Sequence, residues 1–374
     1  IRDSYGSRGL GDLYKRQGDC ATGRGSAPTR HNPARHNTRS ALGPRVTMTL
    51  KMRMIRLLWY SMGIAGGLIA LVWSADRFVE GASAIAKRAG LTPMLIGLTI
   101  VSLGTSAPEV LISVMSSLAD SGELAVGNAL GSNIANIGLV LGVTLIVSPI
   151  TLSRGTTLID LPLLIVVVIL TGALLYDLEL SRTDSLILIG ALGLFFIRIA
   201  QHAKKPDINS EITQIREMTM PAAWLSFLGG LLLLIASSRL LVWAASNIAL
   251  SLGVSELVIG LTIVAVGTSL PELAASVTSA LKGHADMAVG AIVGSNMFNI
   301  LLVLAIPGFW GSLPIQAAVV SRDLLAVFLT TLTLALAAFW RWNGASGSGT
   351  LSRPAGATLL TLYVAYYGWL FLLP

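Results

Sequence analysis

Glu109 and Glu272 stand in the middle of apolar runs and in nearly the same local sequence, Gly97-Leu-Thr-Ile-Val-Ser-Leu-Gly-Thr-Ser-Ala-Pro-Glu109 and Gly260-Leu-Thr-Ile-Val-Ala-Val-Gly-Thr-Ser-Leu-Pro-Glu272. A carboxylate held in hydrocarbon is costly unless it faces a polar cavity or a cation, so an acid in such a place points to function. The neighbours suit a cation. Pro108 and Pro271 each remove an intrahelical hydrogen bond and crowd the carbonyl four residues back. Carbonyls near Ser102 and Ala265 are therefore expected to leave the helix ladder and become available to an ion. Thr105, Ser106, Thr268 and Ser269 add hydroxyls within a turn of the acids. Thr105 and Glu109, four residues apart, can share a helix face.

A second element, Gly131-Ser-Asn-Ile-Ala-Asn136 and Gly294-Ser-Asn-Met-Phe-Asn299, lies in the next apolar span of each half. It brings Ser132 with Asn136, and Ser295 with Asn299, onto one face at the same four-residue spacing. The candidate ligands are thus two carboxylates, amides, hydroxyls and carbonyls, without sulfur or imidazole. Such a set favours hard cations such as Ca²⁺ or Na⁺ over Zn²⁺ or Cu⁺. Two carboxylates neutralise one Ca²⁺ and also attract monovalent ions or protons, so competition for one cluster offers a route to exchange.

The elements that must position these residues repeat as well. One offset of 163 residues relates both motif pairs, and it also aligns Gly90 with Gly253, Gly127 with Gly290 and Asp160 with Asp323. Between 95–115 and 258–278, 13 of 21 positions are identical without a gap, too many for shared hydrophobicity alone. Composition sets the class: 53% apolar residues, 12% charged residues and a mean hydropathy of +0.74 describe a polytopic membrane protein. Ten apolar runs long enough to span hydrocarbon as helices can be marked, near 57–75 (continuing to about 89), 94–118, 124–149, 157–176, 184–200, 221–246, 256–281, 286–309, 318–340 and 356–373. The expected fold is an all-α polytopic membrane protein with ten transmembrane helices. Five spans per half is an odd number, so the second copy enters from the opposite side, giving two inverted five-helix repeats whose broken helices meet at a midplane ion site. The expected organisation is a disordered or non-native tail over 1–53, a first repeat over 54–200, a cytoplasmic linker over 201–220 and a second repeat over 221–374.

The tail is rich in Arg, Gly, Ser, Asn and Pro and carries much of the net charge of +7 without apolar periodicity. The chain begins at Ile1, and Met48, Met52 and Met54 stand directly before the first span as candidate starts. Cys20, the one cysteine, lies in the tail, which leaves neither a disulfide nor a cysteine metal site. No nucleic-acid partner is expected. Basic residues of the spans' connections gather on the side of Lys87, Arg88, Lys204, Lys205 and Lys282, against Arg182 and Arg322 opposite. That bias makes the linker side cytoplasmic and places both termini outside. Gly97, Gly127, Gly131, Gly290 and Gly294 are read as close helix packing, and Asn133 and Asn296 stay open between ligand and packing. Asp160 and Asp323, near span starts, are read as structural.

The paired Gly-Thr-Ser-x-Pro-Glu and Gly-Ser-Asn-x-x-Asn motifs resemble those of the calcium/cation antiporter superfamily, nearest its prokaryotic sodium/calcium exchanger branch, over the chain from about residue 57. The resemblance implies a ten-helix antiporter whose second, third, seventh and eighth spans surround the ions while the first and sixth slide against that core. Its ion ligands would be Glu109, Glu272, Thr105, Ser106, Thr268, Ser269, Ser132, Ser295, Asn136 and Asn299, with the Ser102 and Ala265 carbonyls. Both repeats end in Asn here, where some exchangers have Asp at the position of Asn299, so the cluster holds two acids rather than three. The expected function is exchange of Ca²⁺ for Na⁺ by alternating access in a bacterial-type plasma membrane, with no enzyme activity and no resident cofactor. H⁺- or K⁺-linked exchange is the alternative and a cation channel a remote one.

Overall fold

The computed structural model describes residues 44–202, 218–254, 263, 265–342 and 348–372. The tail before 44 and most of the linker, 203–217, lie outside the described residues. The chain divides into the units Ile1–Lys51 and Met52–Pro374, and the second holds the elements that follow except the start of the first helix, residues 44–51.

Helix α1, Pro44–Ala89, is continuous, so residues 44–53, expected as part of the tail, are helical. Its last turn carries Lys87 and Arg88, and it ends on Gly90 at φ +65°, with Leu91 N–H bonded to Ala86 O at 2.9 Å. A left-handed glycine with this backbone closure is a standard helix stop. Helix α7, Met220–Ser251, ends in the same way 163 residues later, on Gly253 at φ +85° with Val254 N–H bonded to Ala249 O at 3.0 Å.

After α1 the chain forms α2, Pro93–Thr105, which bends by 44° into α3, Ala107–Leu118. The hinge is Ser106, at φ −82° and ψ 4°, followed by Pro108 where the new helix tolerates a missing N–H. In the second half α8, Ala265–Thr268, meets α9, Leu270–Leu281, at Ser269 with φ −90° and ψ 4°. Residues 255–262 and 264, expected to begin that span, lie outside the described residues. A tight turn leads from α3 into α4, Gly122–Val147, and from α9 into α10, Ala285–Phe309. Helices α5 (Thr156–Asp177), α6 (Arg182–His202), α11 (Val319–Trp340) and α12 (Arg353–Leu372) complete the set. Four short strands, β1 (Ile150–Leu152), β2 (Glu179–Leu180), β3 (Leu313–Pro314) and β4 (Gly349–Leu351), pair antiparallel as β1 with β4 and β2 with β3. Each pair ties one half to the other.

Among the described residues seven helices are long and apolar enough to cross a membrane, and the bent α2–α3 pair makes an eighth. The protein is an all-α integral membrane protein. Helix α12 has spanning length but carries Tyr363, Tyr366 and Tyr367. Helix α10 is almost wholly covered by protein and α4 largely so, whereas α1 and α7 leave large apolar side chains such as Ile69, Val72, Leu225 and Leu232 exposed.

Close approach between elements depends on glycine. A Cβ at Gly67 would meet Leu241 at 2.8 Å, and one at Gly230 would meet the Phe78 backbone at 2.5 Å. Gly230 and Gly67 are equivalent by the offset, as are Leu241 and Phe78, so α1 and α7 touch through matching surfaces. Helix α2 runs alongside α10 in the same direction, with Gly97 against Met287 and Gly290, Gly290 against Met94 and Leu98, and Gly294 against Leu98 and Ser102.

Candidate functional site

The hinges determine where the acids sit. Because α3 and α9 restart at Ala107 and Leu270, Glu109 and Glu272 fall in the first turn of a new helix, at the positive end of its dipole. Ser106-x-x-Glu109 and Ser269-x-x-Glu272 have the spacing of a capping box, in which serine and glutamate satisfy the helix's first N–H groups. Neither serine makes that bond. The hydroxyls of Ser106 and Ser269, Glu109 Oε2 and both carboxylate oxygens of Glu272 are buried without a hydrogen-bond partner among the described residues. Glu109 is 1% exposed and Glu272 3%. Buried polar groups are ordinarily paired, so acceptors left open beside one another call for an explanation.

The backbone differs from expectation at one point. The Ser102 carbonyl stays in the ladder, accepting from the Ser106 N–H at 2.9 Å and from Thr105 Oγ1 at 3.3 Å. Counting four residues back from the proline shows why: the donor that Pro108 lacks would have served Gly104. In the second half the matching carbonyl is Gly267, beside Pro271, and Ser238 Oγ from α7 donates to it at 2.7 Å. The freed carbonyls are thus those of the motif glycines, and at Gly267 a hydroxyl that sequence reasoning missed supplies the lost bond. Ala265 opens α8.

The halves meet here, with Gly294 of the second against Ser102 of the first and Ser113 of the first donating to Val303 O of the second. Ser102, Thr105, Ser132, Asn136, Ser295 and Asn299 are all buried, and Thr268 is partly so. Asn136 and Asn299 each begin a π-helical turn, Asn136–Leu141 and Asn299–Val303. Such wide turns interrupt the α ladder and concentrate at functional sites. Asn136 Oδ1, Ser295 Oγ and both amide atoms of Asn299 lack a partner among the described residues. Asn133 is also unpartnered, while Asn296 donates to Ile292 O at 2.7 Å and keeps a free Oδ1. Among the described residues no group of three or more His, Cys, Asp or Glu side chains could hold a metal.

The other repeated acids are held differently. Asp160 pairs with Arg198 at 2.9 Å, and Asp323 pairs with Arg322 at 2.6 Å and accepts from Tyr366 OH at 3.1 Å.

The sodium/calcium exchanger protein family matches residues 59–200 and 222–372. The chain belongs to that family. Among relatives, it is 42% identical over 313 residues to the putative antiporter CaxA of Alkalimonas amylolytica, covering 82% of this chain and 96% of that protein. It is 29% identical over 344 residues to the sodium/calcium exchanger MaX1 of Methanosarcina acetivorans, covering 82% and 96%. The solved structure of the sodium–calcium exchanger NCX_Mj, soaked with Na⁺ and Ca²⁺, superposes with a TM-score of 0.71 at 29% identity, covering 83% of this chain and 98% of that one. Membership in this exchanger family makes the chain a cation antiporter of the Ca²⁺ type, and the two matched segments are the two halves that carry Glu109 and Glu272.

Proposed function

We propose that the chain exchanges Ca²⁺ for Na⁺ across the membrane, both ions competing for one cluster built on Glu109 and Glu272. The observation that carries this reading is the set of buried polar groups without partners among the described residues, Glu109, Ser106 and Asn136 from the first half with their equivalents Glu272, Ser269 and Asn299 from the second, and Ser295 besides. Thr105, Thr268 and Ser132 extend the oxygen shell. The Ser102 carbonyl, which also accepts from the Ser106 N–H and Thr105 Oγ1, and the Ala265 carbonyl complete the proposed set. Hard cations take six or more such oxygens when the cation is Ca²⁺, and two carboxylates balance its charge.

Alternating access is supported by the inverted relation of the halves. Helix α10 starts on the membrane face where α2 starts, because the two lie side by side in the same direction. Helix α4 starts on the opposite face, after the chain has crossed through α2 and α3. Equivalent helices therefore run in opposite directions, which favours ten spans in two inverted repeats, and the bias of basic residues favours a cytoplasmic linker. Coupling then has a physical origin: closing the cavity around two bare carboxylates carries a large desolvation cost that a bound cation removes. The loaded carrier crosses and the empty one does not.

The test uses the full chain in proteoliposomes loaded with Na⁺ and diluted into Na⁺-free buffer, with ⁴⁵Ca²⁺ uptake as readout and K⁺-loaded and pH-jump vesicles alongside. Uptake driven by the Na⁺ gradient alone is expected. Uptake driven only by K⁺ or by pH would change the coupling ion, and uptake that fails to saturate would favour a channel.

A further inference from the structure

Four residues beyond each motif glutamate stands a serine, Ser113 in the first half and Ser276 in the second, equivalent by the offset of 163 and both buried. Their surroundings differ. Ser113 Oγ donates to Val303 O on α10 at 2.8 Å. That carbonyl needs an outside donor because the residue four positions on is Pro307, which has no N–H. The matching carbonyl for Ser276 is Val140 O on α4, and the residue matching Pro307 is Thr144. Thr144 has an N–H, and its hydroxyl donates to Val140 O at 2.7 Å. The structural task that occupies Ser113 is already done when Ser276 arrives. Ser276 is 1% exposed, and its Oγ has no partner among the described residues.

Residues four apart on a helix are neighbours on one face, with Cβ atoms about 5–6 Å apart. Ser276 therefore adjoins Glu272, whose two carboxylate oxygens are equally unpartnered. It stands one turn further toward the turn at 282–284. Beside Glu109 the equivalent hydroxyl is turned toward α10 by the bond that Ser113 donates to Val303 O, whereas no such bond fixes the orientation of Ser276.

We propose that the Ser276 hydroxyl is a further ligand for the transported cation, making the Glu272 end of the site one oxygen richer than the Glu109 end. A hydroxyl suits the role, since it offers two acceptor lone pairs without adding charge. Two halves that look symmetrical in sequence thus present unequal ligand sets to the two sides of the membrane. The difference originates in Pro307 against Thr144, remote from the motifs.

The inference rests on the exchange reading, and the experiment separates the two. Full-length wild type, Ser276→Ala, Ser276→Thr and Ser113→Ala are compared in ⁴⁵Ca²⁺ equilibrium binding, Na⁺ competition, Na⁺-driven ⁴⁵Ca²⁺ uptake and thermal unfolding in ion-free detergent. Ser276→Ala is expected to weaken Ca²⁺ binding or Na⁺ competition several-fold, with an unchanged ion-free Tm. Ser276→Thr should restore affinity. Ser113→Ala should lower the ion-free Tm and leave ion affinity alone. Wild-type affinities for both ions in Ser276→Ala, or a fall in its ion-free Tm matching that of Ser113→Ala, would overturn the proposal. A wild type that neither binds nor transports Ca²⁺ would remove the exchange reading and this inference with it.

Discussion

Glu109 and Glu272 occupy positions where a glutamate would ordinarily serve its own helix, and their open oxygens show a different use. Replacing either with Gln removes the charge at nearly constant shape. Glu109→Gln and Glu272→Gln should each abolish Na⁺-driven Ca²⁺ uptake. Because an unpaired buried carboxylate costs stability, ion-free thermal unfolding should occur at the wild-type temperature or above it, while the stabilisation that Ca²⁺ gives the wild type should disappear. Retained exchange in either variant would contradict the paired-acid mechanism. Ser238 belongs to the same scale. Its hydroxyl satisfies the carbonyl that Pro271 leaves open, so Ser238→Ala should cost about 1–3 kcal/mol, the penalty for an orphaned buried acceptor, read by thermal unfolding.

At the scale of elements, the site exists because α2 and α10 approach closely enough for residues of both halves to meet. Gly290 permits this: a Cβ there would stand 2.6 Å from Met94 O, a backbone atom that cannot swing aside. Gly290→Ala should therefore push α2 from α10, at a cost of about 1–3 kcal/mol typical of overpacking, and lower the Ca²⁺ uptake rate as well. Gly127→Ala is the matched control at the equivalent position. A second contact joins α1 to the turn after α9, where Lys282 reaches Asp76 at 2.6 Å and Glu80 at 3.3 Å, with Arg77 also on Glu80 at 3.2 Å. These groups are partly exposed, and such pairs contribute about 0–1 kcal/mol. Lys282→Met should shift Tm by a few degrees at most, and less at high salt. In the same turn, burial and then the Lys282 ammonium hold the His284 imidazole below its ordinary pKa.

At the scale of the whole molecule, the duplication explains which parts of the structure were legible in advance. The offset carries Ala107–Leu118 onto Leu270–Leu281 and Gly122–Ala135 onto Ala285–Phe298 without a shift at either end. Gly, Pro and Ser at matching places make matching breaks, and caps such as Gly90 and Gly253 close on backbone atoms a few residues away. Such local rules can be read from a chain. The expected Ser102 carbonyl failed on a local count, since the proline's missing donor belongs to Gly104 and not to Ser102. What no local rule supplied was pairing between distant segments: Ser238 on Gly267, Ser113 on Val303, and Arg198 on Asp160. The sequence by itself determined the membrane class, the two breaks and the identity of the acids, because hydropathy, proline geometry and the cost of charge in hydrocarbon depend on residues near one another in the chain. Only the tertiary structure decided which buried oxygens remain open, because whether a donor finds an acceptor depends on different helices, as with Ser238 on Gly267 and Ser113 on Val303, and not on neighbours in the chain.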